Sequence, residues 1–105
     1  MEQIIRQHIF ERIHQELPYT VQQITNRITR LGENNQSIRI DHAIIVEQDS
    51  HKPILIGQNG DVLRYIVDKS RPALQQLFNC HVHLYLQVIS ASKAHSLSEQ
   101  YKMLF

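Results

Sequence analysis

The sequence predicts an α+β domain in which a three-stranded sheet carries helices packed on one face. Three observations predict it. Residues 80–89 alternate strictly, with Val82, Leu84, Leu86 and Val88 on one side and His81, His83, Tyr85 and Gln87 on the other. Two long amphipathic stretches, 2–17 and 61–78, can bury one face of a small sheet. The length of 105 residues is that of one compact domain, large enough for a core without disulfides or metal.

The elements follow in order. Ile5, Ile9, Ile13 and Leu17 recur every four residues, which predicts a helix over 2–17. Pro18 ends it, because the residue before a proline is pushed out of helical geometry. Thr20, Val21, Ile24, Thr25, Ile28 and Thr29 are rich in β-branched side chains and predict a strand over 20–31. Its apolar phase slips between Val21 and Ile24, so the pattern does not fix the inward face. Gly32–Gln36 is a polar turn, and 37–47 is a clearer strand with Ile38, Ile40, Ile44 and Val46 on one face and His42 among them. The two strands form an antiparallel hairpin.

Asp49 and Ser50 suit the N-cap of a short helix over 51–56, with Pro53 tolerated in its first turn. Gly57-Gln58-Asn59-Gly60 breaks that helix, and 61–78 restarts with Leu63, Ile66, Val67, Ser70, Leu74, Leu77 and Phe78 as its buried stripe. Asp61 suits the positive end of the helix dipole, and Pro72 should interrupt the helix. If the third strand pairs parallel with a neighbour, this helical connection is the crossover. The domain is expected over 1–89, followed by a tail over 90–105 in which Leu97, Tyr101 and Leu104 suggest a last short helix.

Composition excludes several classes. Apolar residues are 42% and charged residues 20%, which fits neither a disordered chain nor a membrane span. The opening MEQIIRQHIFERIHQEL carries charge in every turn and does not read as a signal peptide. The single cysteine, Cys80, has no partner for an internal disulfide. There is no phosphate loop of the G-x-x-x-x-G-K-[ST] type, no H-E-x-x-H, no C-x-x-C and no G-x-S-x-G, so no nucleotide-hydrolysing machinery is expected, and no cofactor is assigned. His81 and His83 share a strand face beside Cys80, but the other histidines are scattered, and no metal site is expected. Asp49-Ser50-His51 holds triad residue types in adjacent positions, where their side chains cannot converge; no catalytic residue is assigned.

The formal charge is only +1, with eleven cations against ten anions, and protonating all seven histidines would raise it to +8. Around Gly57–Gly60 the balance is more positive: Lys52, Arg64, Lys69 and Arg71 against Asp61 and Asp68. Glycines let a second backbone approach, and a helix begins there with unpaired N–H groups and a positive dipole end, which suits phosphate. A glycine-rich turn with no ligand satisfies the same four residues, so the motif alone leaves both readings open.

The chain resembles the C-terminal KH domain of the Era GTPase family, with its mitochondrial relatives. Glu16-Leu17-Pro18-Tyr19, Thr20-Val21-Gln22-Gln23, Ile45-Val46-Glu47, Ser50-His51-Lys52 and Ile54-Leu55-Ile56-Gly57-Gln58-Asn59-Gly60 carry the resemblance over nearly the whole length. It implies a type II KH fold, helix-strand-strand-helix-helix-strand, in which G-x-x-G clamps the backbone of about four nucleotides. It implies binding of single-stranded RNA, specifically small-subunit ribosomal RNA near its 3′ end in ribosome assembly, with the small ribosomal subunit as partner and no DNA. It implies a location in the bacterial cytoplasm or an organellar matrix, and a GTPase domain in the full-length family protein that this sequence lacks, so no enzyme is expected of this chain. Carried over, Gly57, Gln58, Asn59, Gly60, Lys52 and Arg64 hold the RNA backbone, and Ile44, Val46, Ile56, Leu63 and Ile66 line a groove for bases.

Four departures from the family pattern stand out. Gln58 replaces a common family lysine, Pro53 replaces a small glycine, Pro72 lies inside the long helix, and the tail lacks a frequent tryptophan. The competing reading is a KH domain that has lost RNA binding and serves as a protein-interaction module through its sheet edges and first helix.

Overall fold

The structure is a computed structural model, described for residues 1–13, 21–34 and 36–91. Helix α1 (Glu2–Arg12) precedes strands β1 (Gln22–Leu31) and β2 (Ser37–Val46). A 3₁₀ turn (Asp49–His51) leads into helix α2 (Lys52–Ile56), and a second 3₁₀ turn (Gln58–Gly60) leads into α3 (Asp61–Phe78) and strand β3 (His81–Ser90). The sheet order is β1-β2-β3, antiparallel in the first pair and parallel in the second. This is the expected α+β order, and the parallel pair makes α2 and α3 its crossover connection.

The core lies between the helices and one face of the sheet. Ile5 and Ile9 of α1, with Ile13, meet Ile38, Ile40, Ile44 and Val46 of β2, Val82 and Leu84 of β3, Leu55 of α2 and Val62, Ile66 and Leu74 of α3. Every strand residue in that set lies on the alternating apolar face that the sequence shows.

Four expectations are corrected. Helix α1 ends at Arg12, and Ile13 is already extended, so a continuous helix to 17 is excluded; Leu17 and Pro18 lie outside the described residues. Asp49 and Ser50 do not cap α2: they sit inside the 3₁₀ turn, and the Asp49 carboxylate is 3.3 Å from Lys52 Nζ. Pro72 does not divide α3, which runs unbroken through it. Pro72 and Asp68, whose carbonyl would otherwise accept from position 72, are both exposed residues, where a lost backbone bond costs least. Leu77 and Phe78 are exposed rather than buried at the end of α3. The expected helix around Leu97, Tyr101 and Leu104 lies outside the described residues.

The phase slip in β1 has a physical cause. The register with β2 shifts between Thr25 and Arg27, a bulge at Asn26. Before it, Gln23 and Thr25 stand opposite Ile44 and His42 on the helix side; after it, Ile28 and Arg30 stand opposite Ile40 and Ile38. Ile24 therefore points to the other face, opposite Ala43.

His42 is 1% exposed in this core. The side-chain amide of Gln23 donates to the Glu2 carbonyl at 3.1 Å, which turns its oxygen towards His42 Nε2 at 2.8 Å. His42 Nε2 then carries the proton, and Nδ1 accepts from the Thr25 hydroxyl at 2.9 Å. Burial lowers the His42 pKa from 6.5, opposed in part by the Glu2 carboxylate. The unfolded chain thus binds a proton more readily than the folded one. Stability contributed by neutral His42 is complete above 6.5 and is lost as pH falls through the lower folded value. Thermal melts between pH 7.5 and 5 are expected to show a falling Tm, with a shallower fall in His42→Leu; parallel slopes in the two proteins would exclude His42 as the source.

Candidate functional site

Two helices and a four-residue turn build the site. The turn Gly57–Gly60 contains three residues at positive φ: Gly57 (80°), Asn59 (55°) and Gly60 (77°). Gly57, with ψ of 176°, occupies a backbone region essentially reserved for glycine. A Cβ there would stand 2.7 Å from the Val62 backbone nitrogen and 2.5 Å from Val62 Cγ2, and would also strike the Asp61 carboxylate. Gly60 has open space around it, so only its φ favours glycine. Asn59 is among the residue types that tolerate the left-handed region.

The turn holds itself by a few backbone bonds. The Gly57 N–H donates to the Pro53 carbonyl at 2.8 Å and the Gly60 N–H to the Gly57 carbonyl at 3.2 Å. The Asp61 N–H donates to Gln58. Gln58 and Asn59 are exposed at the mouth of the turn, where helical geometry gives their N–H groups no intrahelical partner. The eighteen-residue α3 begins beside them and aims its positive end at the same space. This arrangement favours an anion.

The charges around the turn divide by side. Along α3, Asp61, Tyr65 and Lys69 are four apart and face α1. Arg12 NH2 is 3.3 Å from Asp61 Oδ2 and lies over the Tyr65 ring at 5.1 Å, and Lys69 approaches the same ring at 5.8 Å. Tyr65 OH donates to Glu11 at 2.8 Å, and His8 bonds the same carboxylate. These bonds hold the Glu11 carboxyl below its usual range and raise the Tyr65 hydroxyl. Asp61, a carboxylate at the mouth of the turn, is therefore matched by a cation from another helix. Lys69 belongs to this α1 side and not to the turn. Arg64 is exposed one turn into α3, and no ion pair among the described residues includes it. Lys52 is half-buried and shared with Asp49.

On the opposite flank of α3, Leu63 and Val67 are half-buried four residues apart, and Arg71 continues the row exposed. Both α2 and α3 pack against β3, which is an edge strand. Ile56 of α2 and Leu86 and Val88 of β3 are also half-buried. These five apolar side chains leave a partly open strip beside the turn.

Ile44, Val46 and Ile66 do not belong to that strip. Each is 0% exposed. They belong to the core beneath it and present no surface to a ligand, unlike the half-buried Ile56 and Leu63 of the expected lining. The expectation drew Ile44 and Val46 from β2, which is the central strand, whereas β3 lies at an edge. Val67, Leu86 and Val88, which the expected lining left out, border the strip. The alternation of β3 and the Leu63–Val67 spacing were visible, but the strand order was not.

Residues 16–92 match the KH domain family. The chain belongs to the KH domain family. Among curated proteins, this KH domain is 35% identical over 100 residues to GTPase Era of Maricaulis maris, covering 95% of this chain and 31% of that protein. GTPase Era of Agrobacterium fabrum is 40% identical over 86 residues, covering 82% of this chain and 26% of that protein. The KH domain therefore spans less than a third of the length of these relatives. A crystal structure of Era in complex with MgGDPNP and nucleotides 1506–1542 of 16S ribosomal RNA superposes with a TM-score of 0.78 at 28% identity, covering 84% of this chain and 29% of that one. Among the described residues no group of three or more His, Cys, Asp or Glu is placed to hold a metal, and no helix is long and apolar enough to cross a membrane.

Proposed function

We propose that this KH domain binds single-stranded RNA by clamping its backbone at Gly57–Gly60 and laying bases on the adjoining apolar strip. The observation that carries the reading is the turn itself. Its glycine-only backbone at Gly57 brings the exposed Gln58 and Asn59 and the start of α3 to one point. Arg64 and Lys52 supply cationic charge beside it, and Ile56, Leu63, Val67, Leu86 and Val88 supply the apolar floor. The 16S ribosomal RNA in the Era complex supports small-subunit ribosomal RNA near its 3′ end as the strand bound. On this reading the chain serves ribosome assembly on the small subunit, in the bacterial cytoplasm or an organellar matrix, as the binding module of an Era-like GTPase. It catalyses nothing itself.

Gln58 weakens the clamp by offering a neutral amide where a cation would meet phosphate. Gln58→Lys is expected to tighten RNA binding and steepen its salt dependence by about one unit of log–log slope. Affinity titrations at several salt concentrations test this. An unchanged slope would place position 58 away from the phosphates and favour the interaction-module reading.

A further inference from the structure

The sheet face opposite the helices carries a second ordered surface. Cross-strand register places Arg27, Asp41 and Tyr85 in one row, Thr29, Arg39 and His83 in the next, and Leu31, Ser37 and His81 in the third. Residues directly opposite in a sheet share a face. Asp41 holds the Arg39 guanidinium through Nε and NH2 at 3.1–3.2 Å, and that guanidinium lies over the Tyr85 ring at 4.1 Å. Hydrogen bonding to Asp41 raises the Arg39 pKa, so its charge is permanent. His81 and His83 meet edge to face at 4.9 Å. Tyr85 is nonetheless 51% exposed, and Arg27, His81 and His83 are exposed beside it.

Burial does not explain these residues: three aromatic rings and two arginines are presented in register, against one carboxylate already engaged by Arg39. Flat rings and a planar guanidinium backed by positive charge fit the π-faces and phosphates of unpaired nucleotides. The apolar end of the same face, Ala43, Ile45 and Ile89, is buried and separate. The platform also sits at the Ser37 end of the sheet, away from Val46, which leads to the G-x-x-G turn.

We infer that this face, centred on Arg39, His83 and Tyr85, is a second contact surface for single-stranded RNA, stacking bases outside the G-x-x-G groove. The inference rests on the reading that this chain binds RNA, but not on the turn. The test is nuclear magnetic resonance mapping of the whole chain with a short oligouridylate of about a dozen nucleotides, in the wild type and in the Gln58→Asp/Asn59→Asp variant. Shifts at Arg39, His83 and Tyr85 are expected in both proteins, whereas those at Gly57–Gly60 are expected in the wild type alone. Tyr85→Ala, introduced into the doubly substituted variant, is expected to lower the remaining affinity about fivefold or more. Absence of shifts on Arg39, His83 and Tyr85 would overturn the platform, whatever the turn does, and would leave the face to a protein partner. Platform shifts without turn shifts in the wild type would instead overturn the groove reading alone.

Discussion

Gln58→Asp/Asn59→Asp is expected to weaken binding of a small-subunit ribosomal RNA 3′-end strand to the groove about a hundredfold or more while leaving the fold intact. Both side chains are exposed at the mouth of the turn. Asn59 sits at φ 55°, a conformation aspartate also tolerates, so the turn keeps its path. Two carboxylates would then stand where phosphate should approach. At about 4 Å each unit charge repels a phosphate by roughly 4 kcal/mol at an effective dielectric of about 20, before salt screening reduces it. Native-like circular dichroism and Tm together with lost groove shifts would satisfy the expectation. Undiminished groove binding would show that the phosphates lie elsewhere.

Gly57→Ala is expected to have the largest effect on stability of any change at the turn. The cost is twofold: a backbone conformation essentially closed to residues with a Cβ, and a Cβ 2.7 Å from the Val62 nitrogen. The Asp61 carboxylate can swing away, but the Val62 backbone moves only if α3 moves. A loss of about 2–4 kcal/mol follows, on the order of a 10 °C fall in Tm, with RNA affinity falling as the start of α3 is displaced. Gly60→Ala provides the contrast. Nothing lies within 4 Å of its Cβ, so only the left-handed φ of 77° is penalised, at about 1 kcal/mol. Equal losses at the two glycines would mean that the contact with α3 does not govern the turn.

The parts of this fold that could be read from the sequence are those set by local periodicity. The alternation of Val82 to Val88, the spacing of Ile5, Ile9 and Ile13, and the break at Gly57–Gly60 each encode their element directly. The bulge at Asn26 left only a slipped phase, because its register exists between two strands and not within one. Strand order is the same kind of property. Without it, Ile44 and Val46 could not be told from groove residues, and Leu86 and Val88 could not be recognised as lying on the edge strand. The cation that matches Asp61 was hidden for a related reason: Arg12 lies 49 positions away in the chain. His42 read as a break in an apolar face, and only the convergence of Gln23, Thr25 and Glu2 shows how a buried imidazole is accommodated.

The net charge of +1 also takes on a different meaning in three dimensions. It is an average over separate surfaces: a paired network between α1 and α3, a cationic mouth at the turn, and an arginine- and histidine-bearing sheet face. Groove binding by this chain should therefore be modest and strongly reduced by salt.

The most direct measurement is a titration of the chain with a single-stranded RNA matching the 3′ end of small-subunit ribosomal RNA, followed residue by residue by nuclear magnetic resonance. Backbone shifts concentrated at Gly57–Gly60 and Arg64, with methyl shifts at Ile56, Leu63, Val67, Leu86 and Val88, are the expected result. A strand that bound without moving these signals, or that failed to bind at low salt, would contradict the clamp.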